Sequence, residues 1–199
     1  MRILDKIETV EERVIEAPLF RPANLIKRGF PERHVETLPE MFGPSKDKCE
    51  ELRSVISSGD ALIILTGKRG PGKTQMATSW ATTFKKPRYF KAQRLIKAFR
   101  GEFADDREVN AEAELTRQNA RHCDYLVIDE LIELSWTVYT RSEFTTLIDE
   151  RYDNRKATVL ITNTVGDDEV QAEVGFSAFS RAVETGGIVE CDWPSYRKL

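Results

Sequence analysis

At 199 residues, with 40% hydrophobic and 32% charged side chains, the chain can bury one sizeable core and reads as a single globular domain with an appendage. A formal net charge of -3 excludes a surface coated in nucleic-acid-binding charge, so any such contact must be local. No apolar run is long enough to cross a bilayer, no signal-peptide core begins the chain, and Cys49, Cys123 and Cys191 are widely spaced, which points to reduced thiols in a cytoplasmic protein without structural zinc.

Ile3, Ile7, Val10 and Val14 recur every three or four residues and predict a short helix over residues 1–17, ended by Pro18. Pro22, Pro31, Pro39 and Pro44 then break regularity, so residues 20–44 are expected to be extended. Ser45 is placed to cap a helix whose Cys49, Leu52, Val55 and Ile56 share a face, with Gly59 stopping it. Residues 61–66 form an apolar strand, and the helix beyond it turns Met76, Ala77, Trp80, Ala81 and Phe84 inward. A short strand over 88–90 leads to a helix with Ala92, Leu95, Ile96 and Phe99 on one side, then to a helix near 111–121. Residues 125–128 read as a strand buried on both faces. Thr140 and Glu143 suggest a capping box for a helix with Phe144, Leu147, Ile148 and Tyr152 inward. A β-branched strand over 158–162, one or two short helices and a last strand over 188–191 complete the pattern. Apolar strands alternating with amphipathic helices predict an α/β fold, a parallel sheet covered on both faces.

The first strand runs into Gly67-Lys68-Arg69-Gly70-Pro71-Gly72-Lys73-Thr74, a complete G-x-x-x-x-G-K-T phosphate-binding loop. Glycines let the backbone turn with positive φ and aim its N–H groups inward, where they and the following helix dipole cradle phosphate oxygens. Gly67, Arg69, Gly70, Pro71, Gly72, Lys73, Thr74 and Gln75 are therefore the candidate ATP contacts, Lys73 neutralising the β- and γ-phosphates and Thr74 placing its hydroxyl on Mg²⁺. At the end of the strand over 125–128, Asp129 and Glu130 have the form of a Walker B pair: Asp129 to hold Mg²⁺, Glu130 to polarise an attacking water. Asn163, at the end of the strand over 158–162, is placed to hold that water if its strand lies between the other two. A segment containing Lys85, Lys86, Arg88, Lys91, Arg94, Lys97 and Arg100 carries no acid. It is either the wet side of an amphipathic helix or a stripe for nucleic-acid phosphates.

With these motifs in this order, the chain from Gly29 onward, about 170 residues, resembles the AAA+ ATPases of the bacterial replicative helicase loader family, the DnaC and DnaI type, and the related IstB-type transposition helpers. The similarity is carried by Gly29-Phe30-Pro31-Glu32-Arg33, the phosphate loop, the 125–130 strand end, Asp149-Glu150-Arg151-Tyr152, Thr162-Asn163, Ser180-Arg181 and the closing Asp192-Trp193-Pro194-Ser195-Tyr196-Arg197. The resemblance implies a P-loop NTPase core, a five-stranded parallel sheet of order 5-1-4-3-2 with no separate C-terminal lid, over residues 29–199. Residues 1–28 would then be a short helix and linker, where loaders carry a larger helical domain. The resemblance also makes Arg181 the arginine that reaches a neighbour's γ-phosphate in a homo-oligomer, with Arg151 as competitor. It implies single-stranded DNA on the helix bearing Lys91, Arg94, Lys97 and Arg100, and a replicative helicase as partner. Lys73, Glu130, Asn163 and Arg181 form the expected catalytic set. Duplex DNA remodelling, a small nucleotide kinase and a non-hydrolysing ATP-binding module are the alternatives; the kinase would need an acceptor pocket and an arginine-rich lid.

Overall fold

Short, almost wholly apolar runs rich in Ile, Val and Leu are too short for helices and become strands that need cover on both faces. In the computed structural model, which describes residues 22–38, 43–101, 106–131 and 136–196, the strands are β1 (Leu62–Thr66), β2 (Pro87–Lys91), β3 (Tyr125–Asp129), β4 (Ala157–Ile161) and β5 (Gly187–Glu190), β2 being a mixed run, Pro-Arg-Tyr-Phe-Lys. All pair in parallel in the order β2-β3-β4-β1-β5, which is the expected 5-1-4-3-2 read from the other edge. In register, Phe90 lies beside Ile128, Ile128 beside Leu160, and Leu160 beside Ile64. β4 therefore separates β1 from β3, and the three most buried strands end side by side.

Strand side chains alternate between faces, and the helices sort accordingly. One face presents Ile63, Leu65, Tyr125, Val127, Val159 and Ile161 to α1 (Pro22–Lys27), α2 (Glu32–Glu36), α3 (Pro44–Ser57) and α4 (Lys73–Trp80), with Leu25, Val35, Leu52, Ile56, Met76 and Trp80 packed between. The other presents Leu62, Ile64, Leu126, Ile128 and Leu160 to α5 (Ala92–Arg100), α6 (Arg107–His122), α7 (Val138–Asp153), α8 (Asp167–Val174) and α9 (Phe176–Thr185). Among the described residues no helix is long and apolar enough to cross a membrane.

Four local expectations are corrected. The segment expected to be extended contains α1 and α2, because Pro22 and Pro31 sit at helix starts, where a missing N–H costs nothing. Leu25 of α1 is fully buried. α3 starts from Gly43 with Pro44 in its first turn; Ser45 is inside the helix and buried, so it is no cap. The cap of α7 is Thr137, whose hydroxyl accepts from the Thr140 N–H while the Thr140 hydroxyl accepts from the Thr137 N–H, so Thr140 fills the role expected of Glu143. Tyr152 is only half-buried. The helix expected over 1–17 lies outside the described residues.

Arg151, by contrast, is 1% exposed and serves the scaffold. Its guanidinium donates to the carbonyls of Ala120 at 2.8 Å, Cys123 at 3.0 Å and Ala157 at 2.6 Å, and to the Thr158 hydroxyl at 2.9 Å. It stitches the end of α6 to β4, and a neighbouring subunit could not reach it. The Arg151 alternative for a shared arginine is therefore set aside.

Candidate functional site

β1 delivers the chain into the loop over 67–72, and α4 begins at Lys73. Gly67 and Gly70 adopt φ of 111° and 105°, and a Cβ on them would stand 2.6 Å from the Cys191 carbonyl oxygen and 1.9 Å from Ser195 Oγ. Only glycine fits, because the segment after β5 lies against the loop. The Trp193 indole N–H donates to the Pro71 carbonyl at 2.7 Å, and the Tyr196 N–H to the Gly70 carbonyl at 3.1 Å. The Tyr196 hydroxyl accepts from the Ser45 N–H at 3.3 Å, which ties the same segment to the start of α3.

Lys73 is 5% exposed. Its ammonium donates to the Lys68 carbonyl at 2.7 Å, to Asn163 Oδ1 at 3.1 Å and to the Gly67 carbonyl. The Thr74 hydroxyl donates to Asp129 Oδ2 at 2.8 Å, and the buried Tyr89 hydroxyl donates to the same oxygen at 2.8 Å. Asp129 Oδ1 accepts the Glu130 N–H at 2.7 Å. Burial, reinforced by the Asp129 carboxylate, pushes the Tyr89 phenol far above its ordinary range, so it stays a donor. Glu130 takes a positive φ of 64°, uncommon outside glycine, and its carboxylate pairs with Lys91 at 2.9 Å. Three strand ends thus bring Lys73, Thr74, Asp129, Glu130 and Asn163 to one place.

The Asn163 turn is itself clamped. Glu173 of α8 accepts from the Thr162 hydroxyl at 2.7 and 2.9 Å and from the Thr164 hydroxyl. The Thr164 carbonyl accepts the Gly67 N–H at 3.1 Å and the Thr66 hydroxyl. Arg141 of α7 donates to the carbonyls of Ala172 and Glu173 and so fixes the end of α8.

These groups open onto a cleft of about 470 Å³, lined by every residue from Arg69 to Gln75 with Asp129, Glu130 and Asn163. Arg33, His34, Thr37, Ser45 and Tyr196 supply much of its remaining wall. Gln75 donates to the His34 carbonyl at 3.0 Å, and its Oε1 stands 2.8 Å from His34 Nδ1, which anchors α2 to α4 beside the loop. Of the residues expected at the nucleotide, Gly67 alone stays outside this lining, behind the loop. Arg181 also lies elsewhere: on α9 it pairs with Asp149 at 2.6 Å and covers the Tyr152 ring at 4.9 Å, and its buried Nε meets no hydrogen-bond acceptor among the described residues.

The basic segment does not form one stripe. Lys85, Lys86 and Arg88 stand where β2 begins, whereas Lys91, Arg94, Lys97 and Arg100 follow its far end. Lys91 is engaged by Glu130, and Arg94 approaches Glu112 at 3.6 Å. Lys97 and Arg100 are exposed on α5, whose Leu95, Ile96 and Phe99 are buried.

A glycine-rich loop between a buried strand and a helix, with an acid and an amide on neighbouring strand ends, defines a P-loop NTPase fold. No protein-family model and no curated protein sequence matches the chain. Solved structures do. A DnaC helicase loader superposes with a TM-score of 0.61 at 20% identity, over 80% of this chain and 99% of that one. DnaI gives 0.59 at 12% identity, over 75% and 86%. The replication initiator DnaA, bound to AMPPCP and single-stranded DNA, gives 0.59 at 21% identity over 81% of this chain, which spans half of that longer one. The fold is the one that these DnaC, DnaI and DnaA structures share.

Proposed function

We propose that the chain is a Mg²⁺- and ATP-dependent AAA+ ATPase that assembles with itself, engages single-stranded DNA and helps place a replicative helicase on it. The observation that carries this is convergence: Thr74 and Asp129 share a 2.8 Å hydrogen bond while Lys73 reaches Asn163 at 3.1 Å across the same cleft. A hydroxyl and a carboxylate are hard oxygen donors of the kind that hold Mg²⁺ through one or two protein groups, so the residues fit the ion. When bound, Mg²⁺ supplies charge neutralisation at the β- and γ-phosphates.

The protein's own residues do the rest. Loop N–H groups and the N-terminus of α4 receive the phosphates, and Lys73 exchanges neutral carbonyl acceptors for phosphate oxygens. Glu130, once released from Lys91, orients the attacking water and takes up its proton, and Asn163 fixes the position of that water. Tyr89 keeps the Asp129 carboxylate turned toward Thr74. Arg181 reaches the site of the adjoining subunit, where its planar fork spreads positive charge over the transferring phosphoryl group. Its absence from its own chain's cleft suits that role, and assembly must then break its pair with Asp149. Residues 29–199 form the ATPase module in this reading, with 1–28 attached to it. Helicase loading and DNA binding rest on the likeness to DnaC and DnaA, and Lys97 and Arg100 are the α5 cations best placed for a strand. The acid and amide at two strand ends favour hydrolysis over a kinase or a non-hydrolysing module.

Mixing Glu130→Gln with Arg181→Ala subunits tests the shared site. Turnover in the mixture that exceeds either variant alone supports it, because some boundaries then combine an intact Glu130 with an intact Arg181. Strictly additive rates would exclude it.

A further inference from the structure

Lys86 and Arg88, at the start of the basic segment, serve no purpose in the nucleotide site, yet with Arg28 they are not scattered. Arg28, Lys86 and Arg88 line a second cleft of about 430 Å³ together with Gln118, Asn119 and His122. It opens at the N-terminal ends of β2 and β3, whereas the nucleotide cleft opens at the strands' C-terminal ends. β2, whose four residue steps span about 13 Å, runs from the one end to the other.

The backbone brings these charges together. The Tyr89 N–H donates to the Arg28 carbonyl at 3.1 Å, and Gly29, at φ 94°, approaches so closely that a Cβ there would lie 2.4 Å from the Tyr89 carbonyl oxygen. The turn at 28–29 is thereby pressed along β2, which sets Arg28 beside Arg88. Burial and the Arg88 charge both push the Arg28 guanidinium below its ordinary value, with Asp124 and Cys123 opposing. Arg88 is aimed by a 2.9 Å hydrogen bond to Asn119 Oδ1. Two acids stand nearby: the Asp124 oxygens accept the N–H groups of Lys85 and Lys86 at 2.8 to 3.0 Å, and Glu114 Oε1 accepts one N–H of the Gln118 amide at 2.8 Å. Among the described residues no carboxylate lines the cleft itself. Two guanidinium forks, an ammonium and two side-chain amides suit the oxygens of a phosphate, since arginine binds them bidentately. Leu115, 59% exposed at the same cleft, offers apolar contact that a sugar or base can use and an inorganic ion cannot.

We infer that the cleft walled by Arg28, Lys86 and Arg88 is a second anion site that takes the backbone phosphates of a nucleic-acid strand, on the opposite end of the sheet from the nucleotide cleft. It is distinct from the α5 surface and does not depend on ATP turnover.

Anisotropy of a labelled single-stranded 20-mer, titrated from 50 to 200 mM salt, tests it with the full chain. Arg28→Ala/Arg88→Ala should weaken binding at least tenfold and lower the slope of log affinity against log salt by about 1.4, two phosphates at about 0.7 each. Arg28→Lys/Arg88→Lys should keep that slope, and unchanged Mg-ATP affinity in both variants shows an intact fold. Calorimetry with inorganic phosphate separates the sources: phosphate binding lost in the alanine variant while 20-mer binding persists assigns the same cleft to free phosphate. A 20-mer affinity that falls only in Lys97→Ala/Arg100→Ala overturns the inference and leaves the α5 reading standing. Binding of neither probe to the native chain, or binding of both unchanged in the alanine variant, overturns it as well.

Discussion

Glu173 is absent from the motifs legible in the sequence, yet it clamps the turn that carries Asn163, and Glu173→Ala isolates that role. Its carboxylate holds the hydroxyls on either side of Asn163, Thr162 at 2.7 and 2.9 Å and Thr164. Hydrogen bonds to a charged acceptor contribute about 1.5 kcal/mol or more each, so the variant gives up about 3 kcal/mol. Thr162 and Thr164 also stand 3.2 Å apart and can turn toward one another, which recovers about half. The remaining 1.5 kcal/mol or so, felt where Asn163 places the water, corresponds to about a tenfold loss of kcat. Nothing on Glu173 touches the phosphate loop directly, so ATP affinity should stay within about threefold. Steady-state phosphate release against ATP concentration separates the two quantities, and Glu173→Gln, which retains one acceptor oxygen, should recover part of the rate. An unchanged kcat in a folded Glu173→Ala protein would refute the reasoning, as would a loss confined to KM.

Tyr89→Phe removes one of the two hydroxyls on Asp129 Oδ2 and should weaken Mg²⁺-dependent ATP binding by about tenfold while sparing Mg²⁺-free binding, measured with a fluorescent ATP analogue. Arg151→Met strips donors from the Ala120, Cys123 and Ala157 carbonyls and should cost about 3 kcal/mol or more in urea unfolding, against less than about 0.5 kcal/mol for an exposed control such as Lys97→Met. Burial pushes the Cys191 thiol up to about 12 and raises Cys49 and Cys123 as well. The unfolded chain then sheds thiol protons that the native chain keeps, so stability is intact below about pH 8.5 and falls as pH rises toward 12; urea midpoints at pH 7 to 10 should decline above pH 8.5, and a flat profile would contradict the burial argument.

The phosphate loop, the acidic pair and the asparagine were legible because each follows a buried strand, and strand order then brought them together. Composition could not reveal Tyr89, which reads as one more aromatic in a strand until the register sets β2 beside β3 with Lys91 opposite Asp129. Glu173 hides for a related reason: it lies ten residues beyond Asn163 on a separate short helix, and only the turn at 162–166 folds it back. Prolines at 22 and 31 start helices instead of breaking them, and sequence alone cannot separate the two because the same residue starts a helix as readily as it ends one. The basic segment looked continuous because a linear chain cannot show that a five-residue strand carries its two halves to opposite ends of the sheet.

The most direct test of the central claim is calorimetric titration of the full chain with ATP, with and without Mg²⁺, alongside Lys73→Ala and Asp129→Asn. Saturable binding that Mg²⁺ strengthens, lost in Lys73→Ala and made insensitive to Mg²⁺ in Asp129→Asn, is the predicted result. Heats that are absent in the native chain, or indifferent to the ion and to both substitutions, would contradict the account.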